Sequence, residues 1–176
     1  MVGKHNIWGL NISNVGLALR AVAGALLAAL LFVPLSLLPM AARTILPELL
    51  PSEAGALTGA LVALIHPALP FIGAAVALLS FLLVLLRGSR AYGPATIAFG
   101  LAFMAYILLA FSFGSPSLAL PPDLAAQAVQ QALGMPVEAG AELVAHADLT
   151  GLMLVLIAPF ALTAIKGILI TTSRRP

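Results

Sequence analysis

Four long apolar stretches dominate the pattern of hydrophobic and polar positions along the chain. The first, residues 21–42, contains no charged residue and lies between Arg20 and Arg43. A helix of this length extends roughly 33 Å, which is enough to cross the ~30 Å hydrocarbon core of a bilayer. The same criterion predicts three further membrane-spanning helices, at about residues 63–86, 95–113 and 149–170.

The second apolar stretch runs from Leu57 to Leu86 and would extend roughly 45 Å as one helix, too long for an upright span. Ser52 and Glu53 form a helix-start signal before it. Pro67 lies inside the run, where a proline removes a backbone donor and clashes with the preceding turn. We therefore expect a kinked second helix whose spanning part is residues 63–86.

The segment between the third and fourth stretches is more polar. Residues 123–133 place alanine, valine and leucine on one helical face, with Asp123 and three glutamines on the other. This pattern predicts a short amphipathic helix on the membrane surface or against a partner. From Val137 onward, we expect a helix that continues directly into the fourth span.

Composition supports lipid as the main solvent of this chain. It is 62% hydrophobic and 8% charged, with a mean hydropathy of +1.14, whereas soluble domains carry roughly a quarter charged residues. We predict an all-α integral membrane protein, a single membrane domain over residues 1–176 folded as a four-transmembrane-helix bundle. The first span is expected to be an uncleaved anchor, because its apolar run is long for a signal peptide. With no cysteine, disulfides and thiolate metal sites are excluded.

Charge is distributed asymmetrically among the predicted loops. With four spans both termini lie on one side, and every Lys and Arg except Arg43 falls on that side. The positive-inside rule makes it the cytoplasmic side of the cell membrane. All six acidic residues fall on the outer side, in loops 1 and 3. No basic stripe is present, so we expect no nucleic-acid partner.

A cluster of titratable residues precedes the fourth span. Glu138, Glu142 and His146 are four residues apart, so a helix would align them on one face. Carboxylates and an imidazole on one face can bind a divalent metal, to which Asp148 could add a ligand unless it caps the helix. Two alternatives are a solvated helix face and an acidic surface that pairs with basic residues of a neighbouring subunit.

His66 is the other notable histidine, because it lies inside an apolar run. Ionisable groups in the membrane are costly and often functional. His66 and His146 both fall near the outer boundary, where they could be axial haem ligands or contact a quinone head group. The alternative is a structural histidine, bonded to a backbone carbonyl that Pro70 leaves unpaired.

Motifs for enzymatic chemistry are missing: no phosphate loop, HExxH or nucleophile beside a histidine base occurs. Alanines and glycines at four-residue spacing, including Ala21, Ala25 and Ala29, predict close helix packing. We therefore expect a non-catalytic accessory subunit of a larger membrane complex, with lipids and other transmembrane subunits as partners. An electron-transfer complex is one candidate, by analogy. The alternatives are a small oligomeric transporter or channel, and a haem-, quinone- or metal-binding membrane protein.

Overall fold

The computed structural model describes residues 12–49, 55–120, 126, 130 and 143–173, and this part of the chain is mainly helical. Three helical stretches are long and apolar enough to cross a membrane. The elements are, in chain order, α1 (Ile12–Phe32), a π-helical turn (Val33–Leu37), α2 (Leu38–Leu49), α3 (Gly55–Leu64), α4 (Leu69–Leu85), α5 (Tyr92–Ala110), a 3-10 turn (Ser112–Gly114), β1 (Ser117–Leu120), β2 (Leu143–His146) and α6 (Thr150–Ser173).

The first apolar helix is longer than the predicted span of 21–42. Its membrane-compatible part, Val15–Glu48, has 34 residues and extends roughly 51 Å, well beyond the ~30 Å hydrocarbon core. The π-helical turn interrupts it where Pro34 enters at the turn's first positions. Because a proline ring clashes with the carbonyl one turn earlier, the wider π-helical turn lets the helix continue past it.

The predicted kinked second helix is two separate helices. α3 ends at Leu64, α4 begins at Leu69, and residues 65–68 are not helical. Short turns close this break: the Ile65 N–H donates to the Val62 carbonyl at 3.1 Å. Pro70 lies in the first positions of α4, where its missing N–H costs no hydrogen bond. As a result the apolar helix here has 17 residues, fewer than the predicted span of 63–86.

α1 and α4 pack antiparallel over their whole shared length. At one end the Arg20 guanidinium donates to the Arg87 carbonyl at 3.1 Å. In the other half, a Cβ at Gly73 would overlap the Leu35 carbonyl oxygen. Glycine therefore allows the two backbones to touch at this point, as small residues do in membrane helix pairs.

α5 and α6 form a second antiparallel pair, with glycines again at the closest approaches. A Cβ at Gly100 would lie 2.8 Å from the Phe160 carbonyl oxygen, and one at Gly93 would overlap the Thr171 hydroxyl. α4 packs against α5 and thereby joins the two pairs. The helices therefore form a row in the order α1, α4, α5, α6, and in the described residues α1 and α6 make at most marginal contact.

A two-stranded antiparallel sheet connects the far ends of α5 and α6. β1 pairs with β2, with Ser117 opposite His146 and Leu120 opposite Leu143. The expectation of a helix running from Val137 into the fourth span is therefore wrong over residues 143–149. The reason is non-local: the backbone groups of β2 pair with β1 instead of with their own neighbours. The predicted surface helix at 123–133 lies outside the described residues except for Ala126 and Gln130, which are helical.

Candidate functional site

The sequence-predicted residues that the structure describes lie at one end of the helix row. His66 precedes α4, His146 ends β2, and Asp148 precedes α6, which all meet at the end opposite the turn that contains Arg87. α2, α3 and the β1–β2 sheet pack together at the same end. The tertiary structure therefore brings the two histidines to the same end of the molecule.

His66 has a local structural role. Its Nδ1 accepts the backbone N–H of Ala68 at 3.2 Å, and its carbonyl accepts the N–H of Leu69 at 3.0 Å. The expectation that Pro70 leaves the His66 carbonyl unpaired is thus wrong, because the tight turn supplies another donor. A neutral histidine that accepts at Nδ1 carries its proton on Nε2. Nε2 is not engaged in this turn, and haem or quinone binding through His66 stays a prediction.

His146 is exposed and lies in β2, opposite Ser117. The four-residue spacing that would align it with Glu142 on a helix does not apply in a strand, where successive side chains alternate between faces. Glu138 and Glu142 themselves lie outside the described residues. Among the residues that are described, no three His, Asp or Glu side chains form a group able to hold a metal. The metal site stays a prediction, in which His146 lies in a strand rather than in a helix.

Asp148 caps α6. Its carboxylate accepts the backbone N–H of Thr150 at 3.0 Å, satisfying one of the free donors at the helix start. Hydrogen bonds from the Thr150 side chain and backbone lower the pKa of Asp148, because they stabilise the charged carboxylate. Of the two roles considered for Asp148, the structure shows the capping role.

Sequence patterns did not reveal a cleft between the π-helical turn and the start of α4. Its volume is about 490 Å³, and it is open on one side. We call it the α2–α4 cleft, and its lining residues are Phe32, Ser36, Met40, Arg43, Thr44, Pro67, Pro70, Phe71 and Ala74. Its walls are mostly apolar, with polar groups from one helix only.

Ser36 and Arg43 distinguish this cleft from an ordinary apolar groove. Ser36 is only 5% exposed, and Arg43 is half-buried. Within the described ranges, neither side chain forms a hydrogen bond or an ion pair. Thr44, by contrast, donates to the Met40 carbonyl of its own helix at 3.1 Å. The sequence held a signal for the cleft, because Ser36, Met40 and Thr44 are spaced four residues apart and share a helix face.

The fold shows a mainly helical protein with three helical stretches that are long and apolar enough to cross a membrane. No protein-family model, curated protein or solved structure matches the chain. Arguments about function therefore rest on the packing of the helices and on the chemistry of the cleft.

Proposed function

We propose that this protein is a non-catalytic accessory subunit of a larger integral membrane complex, in which α1, α4, α5 and α6 cross the membrane. α4 is the shortest, at 17 residues, which extend roughly 26 Å. Support for its crossing comes from its packing, because it lies antiparallel along α1 from Gly73 to Arg87. A bilayer that thins slightly can accommodate such a helix at modest cost.

The open row of helices is the observation that carries the proposal. A self-contained four-helix bundle closes around a shared core, whereas here α1 and α6 stand at the two ends of the row. Within each of the three long spans, no more than 22% of an apolar 18-residue stretch is buried inside the chain. Large apolar side chains with more than half their surface exposed lie on both end helices, including Leu19, Leu26 and Leu30 on α1 and Val155, Leu162 and Leu169 on α6.

A shallow groove between α1 and α4 favours another helix as the neighbour on that side. It holds about 410 Å³ and is lined largely by alanines: Ala25, Ala28, Ala29, Ala74 and Ala77. Small residues let helix backbones approach closely in lipid, where packing rather than the hydrophobic effect drives association. A partner transmembrane helix fits this groove, which we call the alanine groove.

Charge supports the proposed orientation. Arg20, Arg87 and Arg90 lie at one end of the row, and Asp148 lies at the other. Cations concentrate on the cytoplasmic side of membrane proteins. In the proposed topology the termini are therefore cytoplasmic, and the β1–β2 sheet lies on the outer side.

Gentle purification of the full chain tests the proposal. The tagged protein would be extracted from its native membrane in a lipid-retaining polymer, and native mass spectrometry would measure the mass of the intact complex. Stoichiometric co-purification of different membrane proteins is expected, and the absorption spectrum of that complex would show whether it carries haem or another redox pigment. Recovery as a lone colourless monomer contradicts the proposal. Recovery as a homo-oligomer also contradicts it, and favours the transporter or channel alternative.

Two matched variants test whether the partner helix binds in the alanine groove. Ala29→Leu would fill the alanine groove and reduce co-purification. Ala23→Leu makes the same change at another exposed alanine of α1 that does not line the groove, so partners should be retained. Equal losses in the two variants would show that the groove is not the contact.

A further inference from the structure

The α2–α4 cleft lies at a defined depth if Arg20 marks one membrane interface. Arg20 and Arg43 are 23 residues apart, which is roughly 34 Å along a helix. This separation matches the ~30 Å hydrocarbon core and places Arg43 at the opposite headgroup region. Ser36 is seven residues before Arg43, roughly 10 Å deeper, inside the hydrocarbon.

At that depth the Ser36 hydroxyl forms no hydrogen bond with any residue that the structure describes, and it remains accessible from the cleft, since no fully buried side-chain polar atom among those residues is unpaired. A hydroxyl removed from water without a hydrogen bond costs free energy, and serines in membrane helices usually bond to a carbonyl of their own helix. Thr44, Ser80 and Thr96 do so here, whereas Ser36 does not. Its hydroxyl lines the cleft, so the missing partner can come from a molecule in the cleft.

One positive charge, that of Arg43, lines the same cleft. Arg43 is the one basic residue that the structure describes at this end of the helix row, and it has no carboxylate partner there. α4 begins beside it, with Pro67 and Pro70 lining the cleft. The N–H groups at this helix start are already used, because those of Ala68 and Leu69 donate to His66 and Pro70 has none, so the positive charge comes from Arg43. The mouth therefore attracts an anion, while the walls accept an apolar chain.

We propose that the α2–α4 cleft is a binding site for an anionic phospholipid. The Arg43 guanidinium donates hydrogen bonds to the phosphate, and the Ser36 hydroxyl donates to an ester carbonyl below it. Side chains of a helix lean toward its N-terminus, so Arg43 reaches toward the level of Ser36. The acyl chain lies against Phe32, Phe71 and Ala74. The cleft is open on one side, which allows a lipid to enter from the bilayer.

Native mass spectrometry of the full chain provides the test. The protein would be titrated with phosphatidylglycerol and with phosphatidylcholine in a neutral detergent. Preferential retention of phosphatidylglycerol is expected. Arg43→Gln should weaken that retention roughly tenfold to a hundredfold, as loss of a charge-assisted hydrogen bond implies. Arg90→Gln is the matched control, because it removes an exposed cation at the other end of the row, and retention should be unchanged.

Two further measurements distinguish the contribution of the cleft's shape from that of its charge. Ala74→Leu fills the cleft without altering any charge, and should also reduce retention of phosphatidylglycerol. Inorganic phosphate, supplied at millimolar concentration, should not displace the lipid. Equal effects of Arg43→Gln and Arg90→Gln, no effect of Ala74→Leu, or displacement by phosphate alone would each overturn the proposal. Thermal unfolding of each variant shows whether its fold is intact, and Ser36→Ala, a smaller change, gives a second measure should Ala74→Leu unfold.

Discussion

Phe103 on α5 and Phe160 on α6 stack face to face, with ring centroids 3.9 Å apart and planes within 5° of parallel. Phe99, one turn earlier on α5, meets Phe103 edge-on at 5.8 Å. In a chain with only 6% aromatic residues, this concentration marks the centre of the α5–α6 pair. The glycines at positions 100 and 167 let the two helices come close enough for the rings to touch.

We predict that Phe160→Ala destabilises the α5–α6 pair by about 1 kcal/mol or more, because it removes a stacked aromatic partner and its packing contacts. The unfolding free energy in mixed micelles measures the effect. Leu162→Ala truncates a side chain of the same helix that is 66% exposed and should change stability much less. Similar losses in both variants would show that the rings contribute nothing specific.

Gly73→Ala should separate α1 from α4. Its Cβ would overlap the Leu35 carbonyl oxygen, and overpacking of this kind costs about 1–3 kcal/mol. Gly16→Ala is the control, because no atom lies near its Cβ position and alanine is the better helix former. Thermal unfolding in detergent should rank Gly73→Ala below the parent and Gly16→Ala at or above it. The reverse order would contradict the α1–α4 contact.

Asp148 should make stability depend on acid pH. Its pKa is lowered below the usual 3.8 in the folded protein, so its contribution is fully present above that value. Stability is then lost as the pH falls through the lowered pKa. Asp148→Asn keeps a capping oxygen without titrating, and its melting temperature should depend less on pH below 4. An unchanged acid profile in this variant would assign the acid loss to other carboxylates.

The pairing of β1 with β2 can be trapped by a disulfide in this cysteine-free chain. Residues opposite each other on antiparallel strands have Cα atoms about 4.5–5.5 Å apart, within disulfide range. Ser117→Cys with His146→Cys should therefore crosslink on mild oxidation. Ser117→Cys with Ala145→Cys should crosslink poorly, because neighbouring strand residues point to opposite faces. Crosslinking of the second pair alone would indicate a different register.

Orientation can be tested with single cysteines and a membrane-impermeant maleimide. Arg90→Cys lies in the turn between α4 and α5, and Ala147→Cys lies between β2 and α6; both sites are exposed. In intact cells we expect labelling of Ala147→Cys only, with Arg90→Cys labelled after the membrane is opened. Labelling of both from the same side would contradict the proposed topology.

Local sequence patterns were sufficient to predict a mainly helical chain with membrane-compatible helices. Runs of apolar residues long enough to cross a bilayer have few other stable structures, because every backbone group in lipid must be hydrogen-bonded. The break before α4 was harder to predict. A proline in an apolar run fits either a kink or a break, and the turn at His66 is what separates α3 from α4.

The alanines at four-residue spacing show another limit of prediction from sequence. Ala25 and Ala29 fit the four-residue spacing of packed helices, yet both are exposed, while Gly24 packs against Phe81. Spacing identifies residues that permit close packing, but it does not tell whether the neighbouring helix belongs to the same chain or to a partner. That depends on both helices in the pair.

By itself the sequence determined that its apolar stretches are helical and long enough to cross a membrane, because both properties depend on composition and on contacts between near neighbours. Only the tertiary structure decided the helix row, the pairing of β1 with β2, and the cleft that holds Ser36 and Arg43. Each of these depends on residues distant in the chain meeting in space: Leu35 against Gly73, Ser117 opposite His146, and Arg43 beside the start of α4.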